Sequence, residues 1–219
     1  GHEALKLNTT GADNVAVGRD VLDANTTGDD NTAIGSLALS SNTTASNNTA
    51  VGYNSLAATT TGDENTAVGS LALDANTTGD ENTAVGRNAL GASTTASQNT
   101  AVGRSALQSN TTGTGNCAFG HSALDNNTTA DNNTAFGHYS LDDNSTGASN
   151  TAVGKDALAN NTTASNNTAV GRGALQSNTN TTECTAVGYV ALQDSTADHN
   201  TAFGSKAGEE TTTGASNTF

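Results

Sequence analysis

Few residues in this chain could do chemistry. Histidine occurs four times, and His121 and His138 stand 17 residues apart. An imidazole works as a base when a nucleophile is held beside it. No cysteine, serine or acid is repeated beside these two, so they read as solvated loop histidines. Acidic pairs recur as Asp29-Asp30, Asp63-Glu64 and Asp80-Glu81. Stacked carboxylates are calcium chemistry, but the Gly-Gly-x-Gly-x-Asp repeat of calcium β-rolls is absent. Other copies put Ser46-Asn47 or Ser97-Gln98 at the same place, which makes a solvated acidic loop the default. Asn76 and Asn161 begin Asn-x-Thr strings, glycan acceptors in a glycosylating pathway, and are read here as turn chemistry. The two cysteines, Cys117 and Cys184, form no framework. The residues assign no catalytic, cofactor-binding or metal site, and an enzyme is not expected.

What positions these groups is a repeat. Glycine returns at Gly1, Gly18, Gly35 and onward to Gly188 in steps of 17, and the next step, to Gly204, is 16. Residues 1–203 therefore hold twelve tandem repeats, the last one short, and residues 204–219 a degenerate or truncated thirteenth, in which Gly208 replaces the usual leucine. The unit reads Gly-x-x-Ala-Leu-x-x-Asn-Thr-Thr-Gly-x-x-Asn-Thr-Ala-Val. Glycine, asparagine and threonine are weak helix formers, and no segment keeps an apolar face at helical spacing. Thr-Ala-Val is a short β-prone piece that glycine ends. Ala-Leu reads as the start of a second strand, and Asn-Thr-Thr-Gly as a turn.

These properties predict an all-β solenoid of 17-residue coils, with each column of the repeat stacked about 4.8 Å apart. The Val/Phe and Leu columns are expected inside, which makes Leu90 and Leu107 buried neighbours. Alanine, on the other side of the strand, is then expected outside. Columns of asparagine are expected to form amide ladders. Cys117 and Cys184, four coils apart, would be separated by roughly 19 Å at this spacing, too far for a disulfide.

Composition narrows the function. Hydrophobic residues are 33%, aromatics 3%, and Trp, Met and Pro are absent. The core of one coil is thin, so stacking, and a second buried face, must supply stability. A net charge of −14 disfavours nucleic acid and anionic membranes as partners, and no apolar run is long enough to insert in a membrane.

The string Asn82-Thr83-Ala84-Val85-Gly86, with Ala89 following, resembles the head repeats of trimeric autotransporter adhesins, the YadA-like or haemagglutinin-like family, and closely similar repeats of phage and viral tail fibres. The resemblance covers all 219 residues. It implies a left-handed parallel β-roll, an intertwined or side-by-side homotrimer, and an extracellular place on a bacterial cell or virion surface, where host receptors or glycans are the partners. The repeat here is longer than that family's, and no heptad stalk, neck or anchor is visible. The expected function is a structural fibre or adhesin head segment. The physical case for the trimer is the alanine column: an uncharged, small-residue face suits close packing of three chains, and 13 coils would span roughly 60 Å. A chain that starts on a repeat glycine and stops mid-repeat reads as a piece of a longer fibre.

Two alternative architectures fit the residues less well. Hexapeptide acyltransferases share a trimeric β-helix scaffold but need an aliphatic residue every six positions, which fails after Val85 and Leu90. A monomeric ice-binding solenoid needs two outward threonines on one strand with one inward residue between. The repeated Thr-Thr pair is adjacent, so its members point to opposite sides. The threonine before Ala-Val shares its side with valine, and so with the expected core, which counts against that alternative.

Overall fold

A computed structural model of the chain describes residues 1–211 and 213–219. The protein is an all-β solenoid of 17-residue coils, each contributing one three-residue parallel strand. Two compact units divide at residues 112 and 113. The first holds β1 (Val15–Val17), β2 (Thr32–Ile34), β3 (Thr49–Val51), β4 (Thr66–Val68), β5 (Thr83–Val85) and β6 (Thr100–Val102). The second holds β7 (Cys117–Phe119), β8 (Thr134–Phe136), β9 (Thr151–Val153), β10 (Thr168–Val170), β11 (Thr185–Val187) and β12 (Thr201–Phe203). Within each unit the strands pair in sequence order and in register, so that Thr66, Ala67 and Val68 lie against Thr83, Ala84 and Val85. The short repeat is absorbed between β11 and β12, where Thr185 pairs with Thr201.

The strand is short because glycine ends it in a backbone that other residues avoid. Gly69 has φ 139°, and a Cβ there would lie 2.6 Å from the Gly86 carbonyl oxygen of the next coil. Both the conformation and the approach demand glycine.

No second strand forms at Ala-Leu. That stretch is a turn in which every second residue takes positive φ, as at Asn88 (58°) and Leu90 (52°). The backbone still bonds coil to coil, alternately in both directions: Asn88 N–H donates to Ser70 O (3.1 Å) and Leu90 N–H to Ala106 O (3.0 Å). A left-handed conformation costs about 1–2 kcal/mol for a residue with a Cβ. Full burial of a leucine returns roughly 1.5–3 kcal/mol, and Leu22 through Leu192 are all 0% exposed, Leu90 and Leu107 among them.

The two sides of the strand are the reverse of the sequence expectation. Alanine is inside: Ala33, Ala67, Ala84 and their equivalents through Ala202 are 0% exposed. Threonine and valine point out, with Val17, Ile34, Val68, Phe136 and Phe203 all exposed. The reason is alternation. The asparagine before each threonine is buried, so period two puts Thr out, Ala in and Val out. Leucine, two alanines and two asparagine columns fill the coil and leave no room for valine. The outward column accommodates the change from valine to phenylalanine at Phe119, Phe136 and Phe203, which a close-packed interior would resist.

The interior asparagines form two ladders. In one, Asn42 Nδ2 donates to Asn25 Oδ1 (2.8 Å) and Asn161 Nδ2 to Asn144 Oδ1 (2.7 Å). In the other, Asn82 Oδ1 accepts the Asn99 backbone N–H (3.0 Å) while Asn82 Nδ2 donates to Ala96 O (2.8 Å). The carbonyl of Gly79 accepts from both columns, Asn65 at 2.8 Å and Asn76 at 3.0 Å. Both cysteines are free. Cys184 stands in the second ladder, where its N–H donates to Asn167 Oδ1 and its Sγ lies 3.4 Å from Ala197 O. Its thiol thus takes over part of the amide's role.

Candidate functional site

With the interior given over to hydrogen bonds and packing, any function lies on the outward columns. Three of them are adjacent along the chain. The strand offers Thr-x-Val ranks, one per coil, with no charged residue in either column. Just past the glycine lies a column holding five of the seven cations: Arg19, Arg87, Arg104, Lys155 and Arg172. Just before the buried asparagine lies a ledge holding the acidic pairs. In the rank of β5, Asp80 and Glu81 stand upstream of the strand and Arg87 downstream. In that rank, and in the rank of β1 with Asp13 and Arg19, the uncharged face is bordered by opposite charges on its two edges.

The acidic pairs have a structural task that the sequence did not reveal. The first member of each binds the backbone of the preceding coil: Asp29 Oδ1 accepts from Ala12 N–H (2.7 Å), Asp63 Oδ1 from Ser46 N–H (2.7 Å) and Asp80 Oδ1 from Asp63 N–H (2.8 Å). Ser46 and Ser97 occupy the same place and accept the same bond through Oγ, which explains why serine alternates with aspartate there. The second members, Asp30, Glu64 and Glu81, take positive φ and point outward. One group of potential metal-ligating atoms lies within 4.8 Å among the described residues, that of His2, Glu3 and Asp20. Its members are largely exposed and already paired, Glu3 with Lys6 at 2.8 Å and His2 with Asp20 at 3.6 Å.

His121 and His138 do stack in one column, with ring centroids 5.1 Å apart, and Tyr139 packs against both at 5.6 and 4.0 Å. Beside them four carboxylates from three successive coils crowd together, Asp125, Asp142, Asp143 and Asp156. Burial, and then the neighbouring charges of Asp125, Asp143 and Asp156, push the Asp142 carboxyl up to about 6. Asn76 and Asn161 are 0% exposed and their amides are bonded inside the coil, so these two Asn-x-Thr sites are closed in the folded chain.

One hollow interrupts the turn surface of the first unit. It has a volume of 340 Å³ and is lined by Leu71, Asp74, Asn88, Gly91, Ala92, Gln108 and Ser109. Burial raises the Asp74 carboxyl above its ordinary value, opposed by bonds from its own backbone and from Asn54. Nothing in the repeat rule announced this hollow. The one available signal was a glycine, Gly91, standing outside both glycine columns.

The fold and these surfaces define a β-solenoid repeat protein. In comparisons with family models, curated proteins and solved structures, nothing matches the chain.

Proposed function

We propose that the protein is a structural scaffold, a segment of a surface fibre or adhesin head of the kind its repeats resemble, in which the Thr/Val face packs against identical copies. The observation that carries this reading is the uncharged Thr-x-Val face with an acidic edge on one side and a basic edge on the other. Alanine, expected from the sequence to form the packing face, is buried inside the coil. The Thr/Val face takes its place and adds direction. In a parallel cyclic assembly the acidic edge of one copy meets the basic edge of the next around the ring, with both charges present in the ranks of β1 and β5. Three copies follow from the resemblance. The parallel β-roll's handedness and an extracellular setting on a bacterial or viral surface rest on the resemblance as well. No catalytic group is needed. Light scattering tests the assembly: a mass near three times the 21.6 kDa chain supports it, and a single-chain mass at micromolar concentration overturns it.

One observation favours a second reading, ice binding by a single chain. Threonine and valine stand outward on one strand with an inward alanine between them, two outward side chains separated by one inward residue. The ranks repeat in register through each unit. Thermal hysteresis in the purified chain, together with a single-chain mass, would favour this reading. Its absence removes it.

A further inference from the structure

Four glycines stand outside both glycine columns, and three of them, Gly115, Gly173 and Gly208, take positive φ; Gly91 is the fourth. It lies just after the leucine, where every other coil carries a side chain, from Ser40 to Gln108. It takes no positive φ. A Cβ there would meet its nearest neighbours, Asn88 O and Asp74 Oδ1, at 3.4 and 3.5 Å, which is ordinary contact. The backbone does not need glycine at this place. Its effect is the space it leaves, widened by the small Ala92 beside it, and that space is the 340 Å³ hollow.

The lining chooses a chemistry. Asp74 offers a carboxylate, Asn88 and Gln108 offer amides, and Ser109 a hydroxyl, all partly exposed. Leu71 and Ala92 supply an apolar wall. The Asn88 amide oxygen is shielded and has no partner in the chain, an arrangement that costs stability until a donor arrives. A turn of that amide brings either of its ends to a ligand. An anion would meet the Asp74 carboxylate. An amine would pair with Asp74 alone and leave both amides and the hydroxyl unused. A ring bearing adjacent hydroxyls, with one C–H face against Leu71, uses all of them. The volume sits at the lower end of the range for small-molecule sites, about 300–1,000 Å³, which suits a single sugar ring.

We propose that the hollow over Gly91 binds one neutral pyranose ring, with Asp74, Asn88 and Gln108 bonding its hydroxyls and Leu71 packing on its C–H face. The site lies on the turn and not on the Thr/Val face, and it stands whether or not that face is an interface.

The test is saturation-transfer NMR on the whole chain with a panel of methyl pyranosides, namely glucoside, galactoside, mannoside and the N-acetylglucosaminide. At least one should take up saturation at millimolar concentration. Gly91→Gln restores the side chain found at Gln108 and fills the hollow without strain, so it should abolish the signal while circular dichroism stays unchanged. Asp74→Asn should weaken the signal at least several-fold. Ser40→Gln, which places the same side chain at the equivalent position two coils away from Asp74, should leave it as it was. No signal from any glycoside overturns the proposal, and so does a signal that persists in Gly91→Gln. Neither result bears on the mass measured by light scattering, so this site and the scaffold reading fail separately.

Discussion

The inside and the outside of each coil follow different rules. Inside, the columns hardly vary: leucine is fully buried in eleven successive coils from Leu22 to Leu192, and alanine faces it from the strand. Outside, valine changes to isoleucine or phenylalanine, arginine to tyrosine or histidine, and aspartate to serine. The inner columns are held by contacts with their own copies one coil above and below, so a change in one coil is felt in two others. The outer columns bear that constraint mainly through backbone bonds and, on the acidic ledge, through a single side-chain acceptor that aspartate or serine can supply. Departures from the repeat therefore carry different meanings. Inside, as at Thr59 and Cys184, they keep a polar atom in a ladder, while at Ser93 the buried hydroxyl has no partner. Outside, as at Gly91 or His138-Tyr139, they are free to serve a ligand.

The sharpest break of this contrast is a charge placed inside. Leu90→Asp puts an unpaired carboxylate between Leu73 and Leu107 and should cost several kcal/mol. The loss begins locally, because stability is shared between neighbouring coils. Limited proteolysis should show a new cut near residue 90. Gly69→Ala comes next. It forces a Cβ against the Gly86 carbonyl in a backbone region reserved for glycine, at about 1–3 kcal/mol, read as a lowered urea midpoint. Asn82→Ala removes the acceptor of the Asn99 N–H and the donor to Ala96 O. An unsatisfied buried group costs about 1–3 kcal/mol, and hydrogen exchange at the Asn99 amide should rise well above that of its equivalents.

The smallest effect concerns pH at the outer turn around Asp142. Its folded value is about 6 against an ordinary 3.8, with burial the larger cause and Asp125, Asp143 and Asp156 adding repulsion. The folded state thus binds more protons than the unfolded state between those values, and stability must rise as pH falls. Lowering the pH from 7 through 6 should slow exchange in the coil that carries Asp142, with the gain complete only below the ordinary value of 3.8. Asp142→Asn should flatten that dependence. Exchange that quickens as the pH falls through 6, after correction for its intrinsic rate, would contradict the assignment.

Much of the fold was legible in the sequence, because identical residues at a fixed period state which groups will touch. The glycine spacing defined the coil, and the asparagine columns announced their ladders. The direction of the strand's side chains was misread by ranking valine above alanine in hydrophobicity. The better guide was alternation counted from the asparagine, together with the substitution of phenylalanine in a column supposed to be close-packed. The left-handed leucine was not legible, since leucine rarely adopts that conformation and only the stacking of coils on both sides holds it there. Of the candidate site, the charges flanking the strand were visible as columns. The hollow over Gly91 was not, because a cavity is defined by what neighbouring coils supply.

The account rests most directly on which side of the strand faces water, and adjacent residues of β5 decide it. Ala84→Asp and Val85→Asp place the same carboxylate one residue apart. Urea unfolding of the two variants, read by circular dichroism, should find Ala84→Asp unfolded or strongly destabilised. Val85→Asp should keep its spectrum and a midpoint near that of the parent chain, and lose only its association with other copies. A folded Ala84→Asp beside an unfolded Val85→Asp would reverse the inside and the outside of the coil and contradict the account.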